Sequence, residues 1–159
     1  PSSWAAAAAN ANLIYANADS AIDVLRTAIE IDEKNVEAYE RLGEAYRIRG
    51  EFGKASLVFD TATKLDPARI SVYTRRGVLR FQQYAFLQAI EDYTMAISLS
   101  KVISQNISAT DYTFLGYALQ LAGQCGDARN AMSDAIAFYP DNGYLAASAQ
   151  EIDQRCVNK

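Results

Sequence analysis

Few residues of this 159-residue chain have the types and spacing that catalysis requires. There is no histidine, which excludes Ser-His-Asp and Cys-His arrangements and removes the commonest general base at neutral pH. The two cysteines, Cys125 and Cys156, are far apart and offer no recognisable spacing for a metal site. No set of nucleophile, base and charge stabiliser is visible in the sequence. We therefore predict a protein that is not an enzyme, with no catalytic residue, no cofactor and no metal ion.

The residues best suited to bind a charged partner are three arginines, Arg75, Arg76 and Arg80. Guanidinium groups pair with carboxylates in a bidentate manner, so one interpretation of this cluster is a site for an anion or an acidic peptide. The other interpretation is that they form ion pairs within the fold. The formal net charge of -4 argues against a nucleic-acid-binding protein. No run of 18 apolar residues occurs, so the sequence predicts no membrane-spanning segment.

Small residues recur along the chain at regular intervals, which indicates an internal repeat. Two series of alanines share spacings of 34, 34 and 39 residues: Ala21, Ala55, Ala89 and Ala128, and Ala28, Ala62, Ala96 and Ala135. Between the two alanines of each pair lies a large apolar residue: Leu25, Phe59, Tyr93 and Met132. Gly43, Gly77 and Gly116 keep the same phase. Apolar residues at helical spacing predict two helices of roughly 14 residues in each repeat.

Residues 36–69 resemble the tetratricopeptide repeat at all eight of its usual positions: Tyr39, Leu42, Gly43, Tyr46, Ala55, Phe59, Ala62 and Pro67. Residues 70–103 are similar to the same repeat. They depart from it at Arg80, Tyr84 and Lys101, where the pattern prefers an aromatic residue, a glycine and a proline. Residues 109–142 keep the pattern at Tyr112, Leu115, Gly116, Ala128, Ala135 and Pro140.

The resemblance implies an all-α fold, an α-solenoid of about four stacked helix-turn-helix repeats with a C-terminal capping helix. We expect a single domain over residues 1–159. Its parts are a degenerate first repeat (2–35), repeats two to four (36–69, 70–103 and 109–142), an insert (104–108) and the capping helix (143–159). We expect Gly50 and the Gly123/Gly126 pair to supply the turns between the helices of a repeat. Residues 3–18, rich in alanine and asparagine, are expected to be helical.

In this family the first helix of each repeat lines a concave groove that binds a partner, and the resemblance implies the same groove here. The groove residues that it implies are Glu40, Arg41, Glu44, Arg47, Arg75, Val78, Phe81, Gln82, Phe114, Tyr117 and Gln120. Three large apolar side chains on one exposed face, Phe81, Phe114 and Tyr117, would form a binding patch. The alternative is a set of solvated helix faces that bind no ligand.

Some members of the family grip the terminal carboxylate of chaperone tails with lysines, asparagines and an arginine at fixed groove positions. Here those five positions hold Ala6, Asn10, Arg41, Ser71 and Arg75 in one window of repeats. In the next window they hold Glu40, Glu44, Arg75, Thr110 and Phe114. Two carboxylates would repel such a ligand, so we expect a different partner.

The resemblance also bears on the cysteines and on one arginine. Cys125 lies in the turn of the fourth repeat and Cys156 near the end of the capping helix, and equivalent turns of successive repeats are neighbours. A disulfide would close about 30 residues, stabilise by roughly 3–4 kcal/mol and indicate an extracytoplasmic compartment, periplasmic or secreted. Two free thiols, which would indicate the cytoplasm, are the alternative.

Arg76 and Asp92 occupy positions where this repeat often pairs charges between its two helices.

Together these observations predict a non-catalytic scaffold that binds a peptide or helix of a partner protein. One alternative is a regulatory or targeting domain of a larger protein or enzyme. Another is a module that self-assembles into a homo-oligomer. The chain begins at Pro1 instead of methionine, which we interpret as a processed chain or a part of a longer one.

Overall fold

The fold is described by a computed structural model, which covers the backbone of residues 3–102 and 107–157 and the side chains of 17–102 and 107–157. Within those residues all regular structure is helical, as predicted. The helices are α1 (Ser3–Ile31), α2 (Val36–Ile48), α3 (Phe52–Leu65), α4 (Ile70–Gln82), α5 (Phe86–Val102), α6 (Ala109–Leu121), α7 (Cys125–Phe138) and α8 (Gly143–Val157). Three hairpins, α2/α3, α4/α5 and α6/α7, coincide with the three well-formed repeats. The protein is an all-α helical repeat solenoid.

Helix starts and turns follow from local side-chain chemistry. Asn35 caps α2, because its side-chain oxygen accepts a hydrogen bond from the Ala38 backbone N–H at 3.0 Å. Ser108 and Asp111 form a reciprocal capping box at the start of α6. Gly50 and Gly123 follow the ends of α2 and α6 with φ of 74° and 81°, a left-handed conformation that favours glycine.

Glycine allows the two helices of each hairpin to approach closely. In each repeat the glycine faces the large residue sixteen positions later, and that residue has almost no exposed surface. An added Cβ would lie 2.7 Å from Phe59 at Gly43, 2.9 Å from Tyr93 at Gly77 and 2.6 Å from Met132 at Gly116. The flanking alanines of these three repeats are all fully buried. The repeated small residues therefore mark helix crossings, as the spacing predicts.

The chain forms two compact units, Pro1–Val72 and Tyr73–Lys159. In the first, Ile22 of α1 packs against Leu42 and Ala45 of α2. In the second, α8 buries Leu145 and Ile152, and a Cβ at Gly116 would lie 2.9 Å from the Ile152 side chain. The last helix thus covers the apolar surface of the α6/α7 hairpin, as expected of a capping helix.

The first repeat differs from the expected helix-turn-helix. Where the repeat pattern predicts two helices over residues 2–35, the structure has the single helix α1. The physical reason is that no glycine or proline occurs between Ser3 and Ile31, so nothing in the sequence ends a helix there. The side chains of residues 3–16 lie outside the described residues.

The third repeat ends later than its neighbours. Helix α5 has 17 residues, whereas α3 and α7 have 14. Lys101 stands where proline would stop the helix, and α5 continues to Val102. Residues 104–106 of the predicted insert lie outside the described residues. The described part is anchored by Ile107, whose carbonyl oxygen accepts a hydrogen bond from the Tyr139 hydroxyl at 2.7 Å.

Candidate functional site

The predicted groove residue Glu40 is held inside the first unit. Its carboxylate is buried and accepts hydrogen bonds from Arg69 Nε at 2.7 Å and from Ser71 Oγ at 3.0 Å. These contacts join α2 to the start of α4. A buried carboxylate satisfied in this way holds the fold together and offers little surface to a ligand.

The other charged residues of α2 are paired along the helix. Exposed Arg41 pairs with Glu37 at 2.8 Å, and half-buried Arg47 pairs with Glu44 at 2.6 Å. An exposed pair of this kind contributes only about 0.3–0.5 kcal/mol. Arg41 can therefore exchange Glu37 for a ligand carboxylate at little energetic cost.

Four aromatic side chains of the second unit form a continuous series of edge-to-face contacts, which we call the aromatic row. Phe81 of α4 lies with its ring centroid 5.3 Å from that of Phe114 on α6 and 5.5 Å from that of Phe86 on α5. Tyr84 lies 6.1 Å from Phe86. Phe81 and Phe114 are two of the predicted groove residues, and both are half-buried. The aromatic row therefore presents apolar ring surface that the fold leaves partly uncovered.

Tyr84 stands out in this row. Its side chain is 81% exposed, and its φ of 60° is the left-handed conformation that glycine adopts at the equivalent positions 50 and 123. For a residue with a Cβ this conformation costs roughly 1–2 kcal/mol. The sequence pattern indicated a missing glycine at Tyr84 but not that the aromatic ring would join Phe81 and Phe114 through Phe86.

The remaining predicted residues of α4 are Arg75, Val78 and Gln82. Arg75 and Val78 are half-buried and Gln82 is exposed. Spacings of three and four residues place these three positions on one side of the helix.

The expected ion pair between Arg76 and Asp92 is present. Arg76 donates to Asp92 through Nε at 3.1 Å and through Nη2 at 2.7 Å. Arg80, which departs from the repeat pattern, also pairs with Asp92, with Nη1 to Oδ2 at 3.0 Å. Asp92 is 2% exposed. Two guanidinium groups on one buried carboxylate leave this cluster with a net positive charge on the same hairpin as the aromatic row.

Two predicted groove residues on α6 carry polar groups. The Tyr117 hydroxyl donates a hydrogen bond to Glu151 Oε2 of α8 at 2.6 Å. Burial raises the pKa of Tyr117, and the contact with the Glu151 carboxylate raises this pKa further. Gln120 is 3% exposed, and its Oε1 accepts no hydrogen bond from the described residues. A buried acceptor without a donor costs about 1–3 kcal/mol.

The two cysteines are joined in a disulfide. Cys125 begins α7 and Cys156 lies near the end of α8, with their Cα atoms 5.8 Å apart. The bridge therefore ties the capping helix to the fourth repeat across 31 residues of sequence.

The described residues offer neither a metal site nor a membrane-spanning helix. Residues 17–102 and 107–157 contain no group of three or more His, Cys, Asp or Glu side chains arranged to hold a metal ion. None of the described helices combines the length and apolar character needed to cross a membrane.

The hairpins, their glycine crossings and the capping helix define the class of protein, a helical repeat solenoid. A model of the tetratricopeptide repeat matches residues 36–69, and a second repeat model of the same family matches residues 17–47. The part of the chain that these two models match, residues 17–69, consists of tetratricopeptide repeats. Proteins with this fold are typically non-catalytic scaffolds.

Individual relatives are distant. Stress-induced-phosphoprotein 1 from Caenorhabditis elegans is 24% identical over 102 residues, which is 64% of this chain and 30% of that relative. The chain therefore spans less than a third of the length of this curated relative.

Two solved structures show the likeness in fold. The MamA structure has a TM-score of 0.74 and 24% identity, over 90% of this chain and 77% of that one. The first tetratricopeptide domain of Spaghetti, bound to an HSP90 peptide, has a TM-score of 0.68 and 19% identity, over 77% of this chain and 94% of that one.

Proposed function

We propose that this chain is a non-catalytic interaction module that binds a peptide or helix of a protein partner along α4 and α6, the first helices of its third and fourth repeats. The observation that carries the proposal is the aromatic row. Aromatic side chains are enriched in the central contacts of protein interfaces, because they bury a large area at a small cost in conformational entropy. Tyr84 is held exposed in a strained backbone conformation, a feature that proteins retain mainly at functional sites.

The charges near the row favour a ligand that combines apolar and acidic residues. The cluster of Arg76, Arg80 and Asp92 has a net positive charge, and half-buried Arg75 lies on the same helix as the two arginines, α4. Oxygen acceptors of an acidic side chain pair well with such groups.

The comparisons support peptide binding in general, since the similar Spaghetti domain is bound to an HSP90 peptide. The proposal does not extend to chaperone tails. Of the positions that would clamp a terminal carboxylate, Glu40 holds a buried carboxylate and Phe114 an aromatic ring. The Glu40 carboxylate would repel a terminal carboxylate, and the Phe114 ring has no donor for one. We therefore expect apolar contacts with the aromatic row to contribute most of the binding.

The test is affinity capture from a native extract with the wild-type chain and a Phe81→Ala/Phe114→Ala variant side by side, followed by titration of a synthetic peptide from the captured protein. We expect the variant to bind this peptide at least about tenfold more weakly, as for a central interface residue. The matched control is Leu57→Ala, which removes a 70% exposed leucine from the second helix α3. Circular dichroism of each variant verifies that the helices persist.

Charge is tested separately by Arg75→Glu, with Lys64→Glu on α3 as its control. Arg75→Glu should weaken the same peptide, whereas Lys64→Glu should leave the affinity unchanged. If neither the aromatic pair nor Arg75 alters binding, the ligand lies elsewhere on the solenoid and the proposal fails.

An alternative is that the module regulates or targets a larger protein or enzyme. This alternative is supported by the length of the curated relative, since the match covers only 30% of that protein. In either case the Cys125–Cys156 disulfide favours an oxidising compartment, periplasmic or extracellular.

A further inference from the structure

The turn between α4 and α5 differs from the turns of the neighbouring repeats at two solvent-facing positions. Repeats two and four have glycine at both positions: Gly50 and Gly53, and Gly123 and Gly126. A Cβ added at any of these glycines would meet nothing within 4 Å, so the positions face open space. The third repeat has Tyr84 and Leu87 there, and Leu87 is 60% exposed. Two large apolar side chains therefore project from this turn where the other two repeats have none.

No charged residue accompanies these two side chains in the turn. Residues 82–90 contain no Asp, Glu, Lys or Arg, whereas the equivalent stretches of the other two repeats do. Those charged residues are Arg49, Glu51 and Lys54 in repeat two and Asp127 and Arg129 in repeat four. Tyr84 contacts Phe86 of the aromatic row, and Leu87 follows Phe86 directly on α5. The turn is therefore an uncharged apolar surface that continues the aromatic row.

Arg80 fastens this turn to α4. Its Nη1 donates a hydrogen bond to the backbone carbonyl of Gln88 at 3.1 Å and pairs with Asp92 Oδ2 at 3.0 Å. Gln88 belongs to the first turn of α5. The equivalent residues of repeats two and four are Tyr46 and Leu119, which have no guanidinium group. The three departures from the repeat, at positions 80, 84 and 87, thus act on one turn.

We propose that Tyr84 and Leu87 select an aliphatic residue of the bound segment, and that Arg80 is the positioning residue that holds their turn in place. The inference rests on the proposed function, because it extends the same peptide site from the aromatic row onto the α4/α5 turn. An aliphatic side chain buries its surface against the tyrosine ring and the leucine and loses no polar contact with water. A charged side chain there would be desolvated against two apolar groups, with no charge in residues 82–90 to pair with.

A phage-displayed library of random peptides tests this selectivity. We expect the peptides enriched on the wild-type chain to share an aliphatic residue at one position. A Tyr84→Gly/Leu87→Gly variant, which has the glycines of the other two repeats, should bind these peptides at least about tenfold more weakly. Replacement of the shared aliphatic residue by aspartate should weaken wild-type binding to a similar degree. As a matched pair, Leu87→Ala should weaken binding several-fold, whereas Leu57→Ala, which removes a leucine of similar exposure from α3, should not.

Amide hydrogen exchange in the peptide-free chain tests the role of Arg80 independently of binding. The Ala89 N–H donates to the Ala85 carbonyl at 3.0 Å and closes the first turn of α5. Arg80→Leu, which introduces the residue of repeat four, should speed the exchange of this amide several-fold relative to amides in the middle of α5. Arg76→Leu removes the other guanidinium group from Asp92 and should leave this ratio unchanged. Arg80→Leu should also weaken binding of the selected peptides, whereas an arginine that only stabilised the hairpin would change the exchange of all its amides equally.

The outcomes separate this proposal from the proposed function. Selected peptides that bind the Phe81→Ala/Phe114→Ala variant as tightly as the wild type would overturn the proposed function and this inference with it, as would a wild-type chain that enriches no peptide. Peptides that lose binding to that variant but keep it with Tyr84→Gly/Leu87→Gly would overturn only the selectivity of the turn. An enriched set without a shared aliphatic residue would do the same. An unchanged exchange ratio in Arg80→Leu would overturn the role of Arg80.

Discussion

Substitution of Gly77 by alanine tests whether the glycine of each repeat determines how closely its two helices pack. The new Cβ would lie 2.9 Å from Cζ and 3.0 Å from Cε2 of Tyr93, whose ring is fully buried. Because the neighbour is a packed ring and not a flexible chain end, relieving this contact must shift a helix or the ring. Overpacking of this kind costs about 1–3 kcal/mol. Alanine also improves helix propensity by about 1 kcal/mol, so we expect net destabilisation of up to about 2 kcal/mol.

The steric contribution is isolated by comparison with Gly53→Ala in α3, where an added Cβ meets nothing within 4 Å. That substitution should stabilise by up to about 1 kcal/mol, since only the propensity gain applies. The difference between the two alanine variants in free energy of unfolding then measures the clash at Gly77. Urea denaturation followed by circular dichroism provides both values. A cycle with Tyr93→Leu should remove most of the penalty, because a smaller side chain leaves room for the Cβ.

Equal effects of the two alanine substitutions would refute this reasoning. The same would follow if Tyr93→Leu left the cost of Gly77→Ala unchanged. Either result would mean that the hairpin adjusts to an extra methyl group and that the glycine does not determine how closely the helices approach.

Four further predictions concern single contacts. Asp92→Ala should destabilise by about 3–5 kcal/mol in urea denaturation, because it leaves two arginines without their buried carboxylate; a cost near zero would contradict the ion-pair network. Reduction of the Cys125–Cys156 disulfide should lower the free energy of unfolding by about 3–4 kcal/mol, and titration of two free thiols in unreduced, denatured protein would show that no bridge forms. The raised pKa of Tyr117 means that its contribution to stability is complete below about pH 10 and is lost as the pH rises above that value, so Tyr117→Phe should flatten the alkaline decline in stability. Tyr84→Gly should raise the free energy of unfolding by up to about 1 kcal/mol, because glycine adopts the left-handed conformation without strain. It should also weaken peptide binding, and unchanged binding would show that Tyr84 is not part of the binding site.

The regular part of the fold could be predicted because its determinants are local and repeated. Gly77 and Tyr93 must stand sixteen residues apart for two antiparallel helices to cross closely, and Ala89 and Ala96 must be small for the same reason. Each requirement recurs at a fixed phase in the sequence. The helical hairpins of repeats two to four therefore follow from residue types alone, although the late end of α5 does not.

The candidate binding site was less predictable from the sequence than the fold. Contacts between two side chains that are made through a third one leave no periodic pattern in the sequence. The positions of Phe81 and Phe114 follow from the repeat register. Phe86, the first residue of α5, links them to Tyr84 through ring contacts that the register does not predict. Likewise, the register places Glu40 at a groove position, whereas the structure shows its carboxylate buried against Arg69. Register gives the direction of a side chain, and its neighbours decide whether a ligand can reach it.

The departures from the repeat pattern carry more information about function than its matches do. A residue that fits the pattern is explained by helix packing, as Gly43 is by Phe59. Tyr84 has no such explanation, because glycine would occupy its position without strain, and its exposed ring must be retained for another reason. A glycine at this position would make the fold more stable, so we expect that a bound partner contacts the exposed Tyr84 ring.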